Sequence, residues 1–456
     1  MQDVRSSQDE VARLQGALDE ERAKIVALED ENDVLAEANV LLERELAALR
    51  LELASMKSSQ PIGVAASPQP PPPPLAELRF DGCNGGYASE IKLRIENACG
   101  GMNVLSLSFC RGTEENEELL ACGGTDNAVS VYKLSGELVG RVPLSAPVLK
   151  LCAFDSFVAA SLMDGGVAVI NLRTSSLAVT AVKDHGKYVV AIGWRQDGRL
   201  LASASYDKSV NLYSVALPTD GAAPKMEKKV TVRVDSTPEA ILFAPAPLPA
   251  PLPSSSTTPH EGWELIIAAR DTKDLIYLSC SDEDLNEAGA GGLPRRRLVS
   301  LNESAWDDHV SFTPLSLALT PNAKHLLVAT DHHVHFLTAL GDSARTRVFV
   351  GHSCGEYGKP RVAFSPCGRF LYSNSEGEGS VLVYDVSSCS LLRTMRGAQG
   401  AVVKDLSSSE SGLLASGGFD RAVVLWSSSS NSASASASDS AAALEGAGAG
   451  GRGDGR

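Results

Sequence analysis

The chain has 456 residues, is 43% hydrophobic and 21% charged, and carries a formal net charge of −15, the balance of an ordinary soluble globular protein. No run of about 18 apolar residues occurs, and the N-terminus, MQDVRSSQDE, is polar and acidic, which disfavours secretion, membrane insertion and mitochondrial import. The acidic balance repels phosphate backbones and disfavours direct nucleic-acid binding. The nine cysteines are scattered without a CxxC pair and read as reduced thiols of a cytoplasmic protein, with the nucleus as the alternative compartment.

Residues 1–57 hold 14 Asp or Glu against 7 Lys or Arg and repeat every seven residues. Val4, Val11, Leu18, Ile25, Asn32, Asn39, Leu46 and Leu53 fall at a. Ser7, Leu14, Glu21, Leu28, Leu35, Leu42, Leu49 and Met56 fall at d. A seam this narrow predicts a coiled coil rather than a helix packed on a globular core. Asn32 and Asn39 at a select a parallel dimer. The pairs Lys24 with Glu29, Glu45 with Arg50 and Glu52 with Lys57 are the g-to-e matches a homodimer would make. Ile25, Leu28, Asn32, Leu35, Asn39, Leu42, Leu46 and Leu49 are therefore the predicted dimerisation residues. A basic-zipper reading fails because the residues ahead of the leucines are acidic.

Residues 58–87 contain Pro61, Pro68 and an unbroken run from Pro70 to Pro74, which predicts a stiff polyproline spacer. EIKLRIE at 90–96 then alternates Ile91, Leu93 and Ile95 with Lys92, Arg94 and Glu96, the period of a half-buried strand.

From there one phrase recurs: an apolar strand, a turn, a strand of small residues, a tight turn with an acid, and a third apolar strand. The clearest copies are 191–215, 362–386 and 402–427; weaker ones start at Val104, Val148 and Leu315, and the most damaged starts at Glu239. The turn acids are Asp126, Asp164, Asp207, Asp271, Asp331, Glu378 and Asp420, spaced by 38, 43, 64, 60, 47 and 42 residues. Four of these intervals fit the roughly 40–45 residues of a four-stranded propeller blade. The two long ones carry loop-like insertions near 245–262 and 280–296. Residues 427–456, rich in Ser, Ala and Gly, read as a disordered tail, and the Arg452-Gly453-Asp454 within it as a chance match.

On these copies the chain resembles the WD-repeat β-propeller family across residues 91–426. Where that family ends its third strand in Trp-Asp, this chain has Tyr132-Lys133, Ile170-Asn171, Tyr213-Ser214, Tyr277-Leu278, Phe336-Leu337, Tyr384-Asp385 and Trp426-Ser427; its one literal Trp306-Asp307 lies in a loop. Gly351-His352 keeps the Gly-His signature. His185, with Ser203 or Ser205, Asp207 and Tyr213, approximates the family's internal hydrogen-bond network. The resemblance implies a seven-bladed β-propeller over 88–426, preceded by the coiled coil and closed by the strand near 90–96 acting as the last blade's fourth strand.

No GxSxG, phosphate loop or HExxH occurs, and no enzyme activity, cofactor or metal is assigned. His333 and His335 would share one face of a strand beside His332, a geometry open to metal, but the three are read instead as decorating one blade's turn and third strand. The resemblance implies a non-enzymatic scaffold or adaptor that binds other proteins on the face made by second-to-third-strand turns and inter-blade connections. That face would include Lys187, Tyr206, Lys208, Arg270, His332, Tyr357, Phe419 and Arg421. The alternative is a substrate receptor of a cullin-type ubiquitin ligase. Its Trp-Asp-x-Arg motif would fall on Ile170-Asn171-Leu172-Arg173, which keeps only the arginine.

Overall fold

The computed structural model describes residues 86–428, except 115–116, 174–176, 246–261, 283–284, 286–293, 303–309, 311, 333, 356–357, 377–378 and 398. The heptad residues Ile25 to Leu49, the proline run, the tail, Trp306-Asp307, His333, Tyr357 and Glu378 lie outside the described residues.

Among the described residues, twenty-eight strands form seven four-stranded sheets. After β1 (Ala88–Ile95) the first blade is β2 (Val104–Arg111), β3 (Glu118–Gly124), β4 (Ala128–Lys133) and β5 (Leu138–Pro143). The second is β6 (Val148–Phe154), β7 (Phe157–Leu162), β8 (Gly166–Asn171) and β9 (Val179–Lys183). The third is β10 (Val189–Trp194), β11 (Leu200–Ser205), β12 (Ser209–Ala216) and β13 (Lys225–Arg233). The fourth is β14 (Pro238–Ala244), β15 (Gly262–Ala269), β16 (Asp274–Ser281) and β17 (Arg295–Ser300). The fifth is β18 (Pro314–Leu319), β19 (His325–Thr330), β20 (Val334–Ala339) and β21 (Arg345–Val350). The sixth is β22 (Val362–Phe364), β23 (Phe370–Ser375), β24 (Ser380–Asp385) and β25 (Leu391–Met395). The last is β26 (Val403–Ser408), β27 (Leu414–Gly418) and β28 (Val423–Ser428), completed by β1. Arg295–Arg297, which composition assigns to the second insertion, instead open β17 and pair with β16.

Burial explains the pattern of each strand. The second and third strands lie between neighbouring blades, so β7, β8 and β11 are buried along their whole length and read as unbroken runs of apolar and small residues. Small side chains are required there. A Cβ on Gly417 would meet Val104 at 2.8 Å, and one on Gly123 would meet Val148 at 2.5 Å, both across a blade junction. Fourth strands face solvent on one side, and β9 alternates accordingly. The seven residues standing in the tryptophan position, from Tyr132 to Trp426, are all buried, each worth about 1.5–3 kcal/mol of apolar transfer. Tyr132 also donates its hydroxyl to the Ala98 carbonyl at 2.6 Å, and Tyr384 to that of Val350 at 3.1 Å. The indole N–H of Trp426 donates to Ser416 Oγ at 2.8 Å.

β1 runs antiparallel to β28, from Ala88 opposite Ser428 to Ile95 opposite Val423, and so joins the two ends of the ring. Its alternation is imperfect. The register slips between Ile91 and Leu93, so Ile95 is buried while Ile91 is 55% exposed. Among the cysteines, Cys99, Cys110, Cys122, Cys152, Cys280, Cys354 and Cys389 are free thiols. Cys367 departs from the expected reduced state and is disulfide-bonded. Among the described residues no helix is long and apolar enough to cross a membrane.

Candidate functional site

In six blades the register between the first and second strands shifts at the start of the inner strand, in the manner of a β-bulge. A bulge re-aims the side chains on either side of it. Glu239 in the fourth blade and Lys404 in the last stand at the shift. Ser106, Lys150 and Asp405 occupy the next position in three consecutive blades. One end of the central channel is thereby lined with charge.

Asp405, only 1% exposed, is the first node. Lys150 Nζ lies 2.8 Å from Oδ2 and 2.9 Å from Oδ1, Ser106 donates its hydroxyl at 2.6 Å, and the Leu107 amide donates at 2.9 Å. Ser106 Oγ in turn accepts the Leu151 amide at 3.0 Å. The second, first and last blades are thus tied across the joint that β1 closes. Burial alone would raise the Asp405 pKa, but Lys150 and Arg361 more than offset it and hold the carboxyl below its usual value. Burial lowers the Lys150 pKa, Asp405 resists that shift, and Arg361 adds to it.

Glu239, also 1% exposed, is the second node. Tyr206 donates its hydroxyl at 2.7 Å, Arg270 Nε donates at 3.0 Å, and Lys359 Nζ donates at 2.9 Å. The third, fourth and sixth blades meet there. Burial is again opposed, here by Lys359, Tyr206 and Arg270, and the Glu239 carboxyl stays ionised below its usual range. The Tyr188 ring packs on Tyr206 at 4.4 Å between centroids, and Lys359 Nζ lies 5.7 Å from the Tyr206 ring.

The residues expected on this face are partly brought together. Tyr206 and Arg270 converge on Glu239. Phe419 lies under Lys404 Nζ at 4.8 Å, and Lys404 also reaches Glu376 at 3.9 Å. Lys187 is exposed next to Tyr188. Lys208 turns aside to the Asp235 carbonyl at 3.0 Å. Arg421 and His332 are exposed at their turns, apart from both nodes. Lys150, Tyr188, Glu239, Lys359, Arg361, Lys404 and Asp405 were missed. Two of them left a signal, an acid in the middle of an inner strand: Glu239 in the otherwise apolar PEAILFA and Asp405 in VKDLSS.

The turn acids accept local donors: the Gly166 amide on Asp164, those of Gly186 and Ser209 on Asp207, that of Thr313 on Asp331, and those of Gly400 and Ala422 on Asp420. In the third blade His185 Nδ1 lies 3.3 Å from Asp207 and Nε2 lies 2.7 Å from Ser203. This geometry assigns the proton to Nδ1 and the acceptor role to Nε2. Ser203 therefore fills the hydroxyl position, while Ser205 donates to the Lys187 and Tyr188 carbonyls. Tyr213 joins through Asn211, whose amide donates to its oxygen at 3.3 Å. His335 is fully buried, bonded to Ser373 Oγ at 2.8 Å and stacked on His352 at 3.8 Å. His332 is exposed, and no group of residues fit to hold a metal ion occurs among the described residues.

The family described as WD domain, G-beta repeat, matches residues 176–214 and 389–427. The first segment contains the His185–Asp207 network and Tyr213, and the second contains Trp426. A search of curated proteins found no match. The described residues form a seven-bladed β-propeller, and two of its stretches are WD40 repeats.

Proposed function

We propose that the chain is a non-enzymatic scaffold that binds other proteins on the face carrying both charge nodes. Propellers of this repeat family are generally non-catalytic and typically bind other proteins. The observation that carries the reading is that exposed large apolar side chains, Met102, Met163, Tyr188, Val310 and Phe419, stand on the turns and connections of the same face as the two charge nodes, whereas the other exposed ones among the described residues lie along the outer strands. Aromatic and methionine side chains on a rigid support, ringed by polar groups, are the usual make-up of a protein-binding patch. The heptads of residues 1–57 support a parallel homodimer presenting two such faces, which would bind a repeated partner with avidity. Cytoplasm or nucleus is the proposed setting. The ligase-receptor alternative gains nothing from Arg173, whose guanidinium is held by Asp155 at 2.7 Å and lies over the Phe157 ring.

Affinity purification with three forms of the full chain tests this. Tyr188→Ala with Phe419→Ala should lose most partners recovered by the wild type, while Leu138→Ala with Leu391→Ala, on outer strands, should keep them. The reverse pattern would move the binding surface to the rim.

A further inference from the structure

Around the channel mouth Lys150, Arg270, Lys359 and Arg361 make their ion pairs among the described residues with two carboxylates, Glu239 and Asp405. A local cationic excess in a chain of net charge −15 is notable in itself. The cations also crowd one another: Arg361 disfavours the charged forms of both Lys150 and Lys359.

Arg361 is the least satisfied of them. Its side chain is 12% exposed, its one ion-pair partner among the described residues is Asp405 at 3.9 Å, and that separation is too long for a hydrogen bond. Its backbone is fixed by Asn374, which accepts the Arg361 amide at 2.6 Å through Oδ1 and donates its own amide to the Arg361 carbonyl at 3.1 Å. Among the described residues no side chain or carbonyl accepts a hydrogen bond from the guanidinium. Five donors held in a rigid fork, nearly buried and beside two lysines, make a socket for a planar anion.

We propose that this socket takes the carboxylate of an Asp or Glu from an extended acidic segment of a partner protein, with Arg361 binding it as a fork and Lys150 and Lys359 neutralising it. This rests on the face being a protein-docking surface and specifies its chemistry. Tyr188 and Phe419, exposed beside the mouth, would hold an apolar side chain of the same segment. The charge balance selects the occupant. The strong net negative charge of the whole chain repels extended polyanions such as nucleic acid or an anionic membrane, whereas a single peptide acid can enter a recessed mouth where the local charge is positive.

The test is fluorescence anisotropy on the full chain with labelled peptides of one frame: a fixed leucine and phenylalanine, and Glu, Gln, Lys or phosphoserine at the same alternating positions. The Glu peptide should bind at least roughly tenfold tighter than the Gln and Lys peptides and weaken as salt rises. Arg361→Gln should remove that preference and Arg361→Lys should retain only part of it, because the charge stays and the fork is lost. Asp405 keeps Lys150, Ser106 and the Leu107 amide in both variants, and an unchanged melting temperature would show that the ring is intact. Equal affinity for the Glu, Gln and Lys peptides, binding of phosphoserine alone, or a Glu preference that survives Arg361→Gln would each overturn the proposal. If partner recovery still fails in the Tyr188→Ala, Phe419→Ala protein, the docking face stands and only its acid chemistry falls. If that variant keeps every partner, the docking face itself falls.

Discussion

Two pairs of side chains far apart in sequence hold the mouth of the channel. Lys150 and Asp405 are separated by 255 positions and Lys359 and Glu239 by 120, and each carboxylate is almost wholly desolvated. Removing one partner of such a pair strands the other, at about 3–5 kcal/mol. Asp405→Ala is therefore expected to destabilise the ring by that amount in urea unfolding, whereas Arg361→Gln should cost far less. A second residue-level expectation concerns pH. Burial and then His352 hold the His335 pKa well below the usual histidine value. Below about pH 6.5 the unfolded chain takes up a proton that the folded state refuses. Stability should thus be complete above that pH and decline as pH falls further, and His335→Phe, which preserves the ring stack, should flatten part of the decline in urea midpoints. The local network of His185, Ser203 and Asp207 was legible because its members lie within one repeat. The charge nodes were not, because only the closed ring brings their partners together, and the inner-strand acids are the sole trace.

The elements were legible where burial is one-sided or complete. Runs of small and apolar residues marked the middle strands, and the turn acids marked the junctions between them. Reading failed where register slips. Alternation places Ile91 with Leu93 and Ile95, but the shift within β1 turns Ile91 outward. The arginines opening β17 look like loop by composition because a fourth strand has a solvated face. β1 itself carries a sharp expectation. Pairing with β28 removes two unpaired strand edges, so deletion of residues 1–75 should leave a propeller that unfolds cooperatively. Deletion of 1–97 should abolish or markedly lower that transition in calorimetry. Equal melting of the two truncations would show that closure does not depend on this strand.

At the scale of the whole molecule, a ring with exposed apolar side chains around a cationic channel mouth is joined in sequence to a segment whose heptads favour pairing. In sedimentation the full chain is expected as a dimer and the 1–75 deletion as a monomer. Asn32→Leu with Asn39→Leu should broaden the distribution to higher oligomers, because the buried asparagines specify a two-stranded seam at a cost in stability. The central claim, that partners dock around the channel mouth, is tested most directly by hydrogen exchange on the full chain with and without a recovered partner. Protection is expected in the segments holding Lys187 and Tyr188, Tyr206 to Lys208, Lys359 to Arg361, and Phe419 to Arg421. Protection confined to the outer strands β5, β9 and β25, with those segments unchanged, would contradict it.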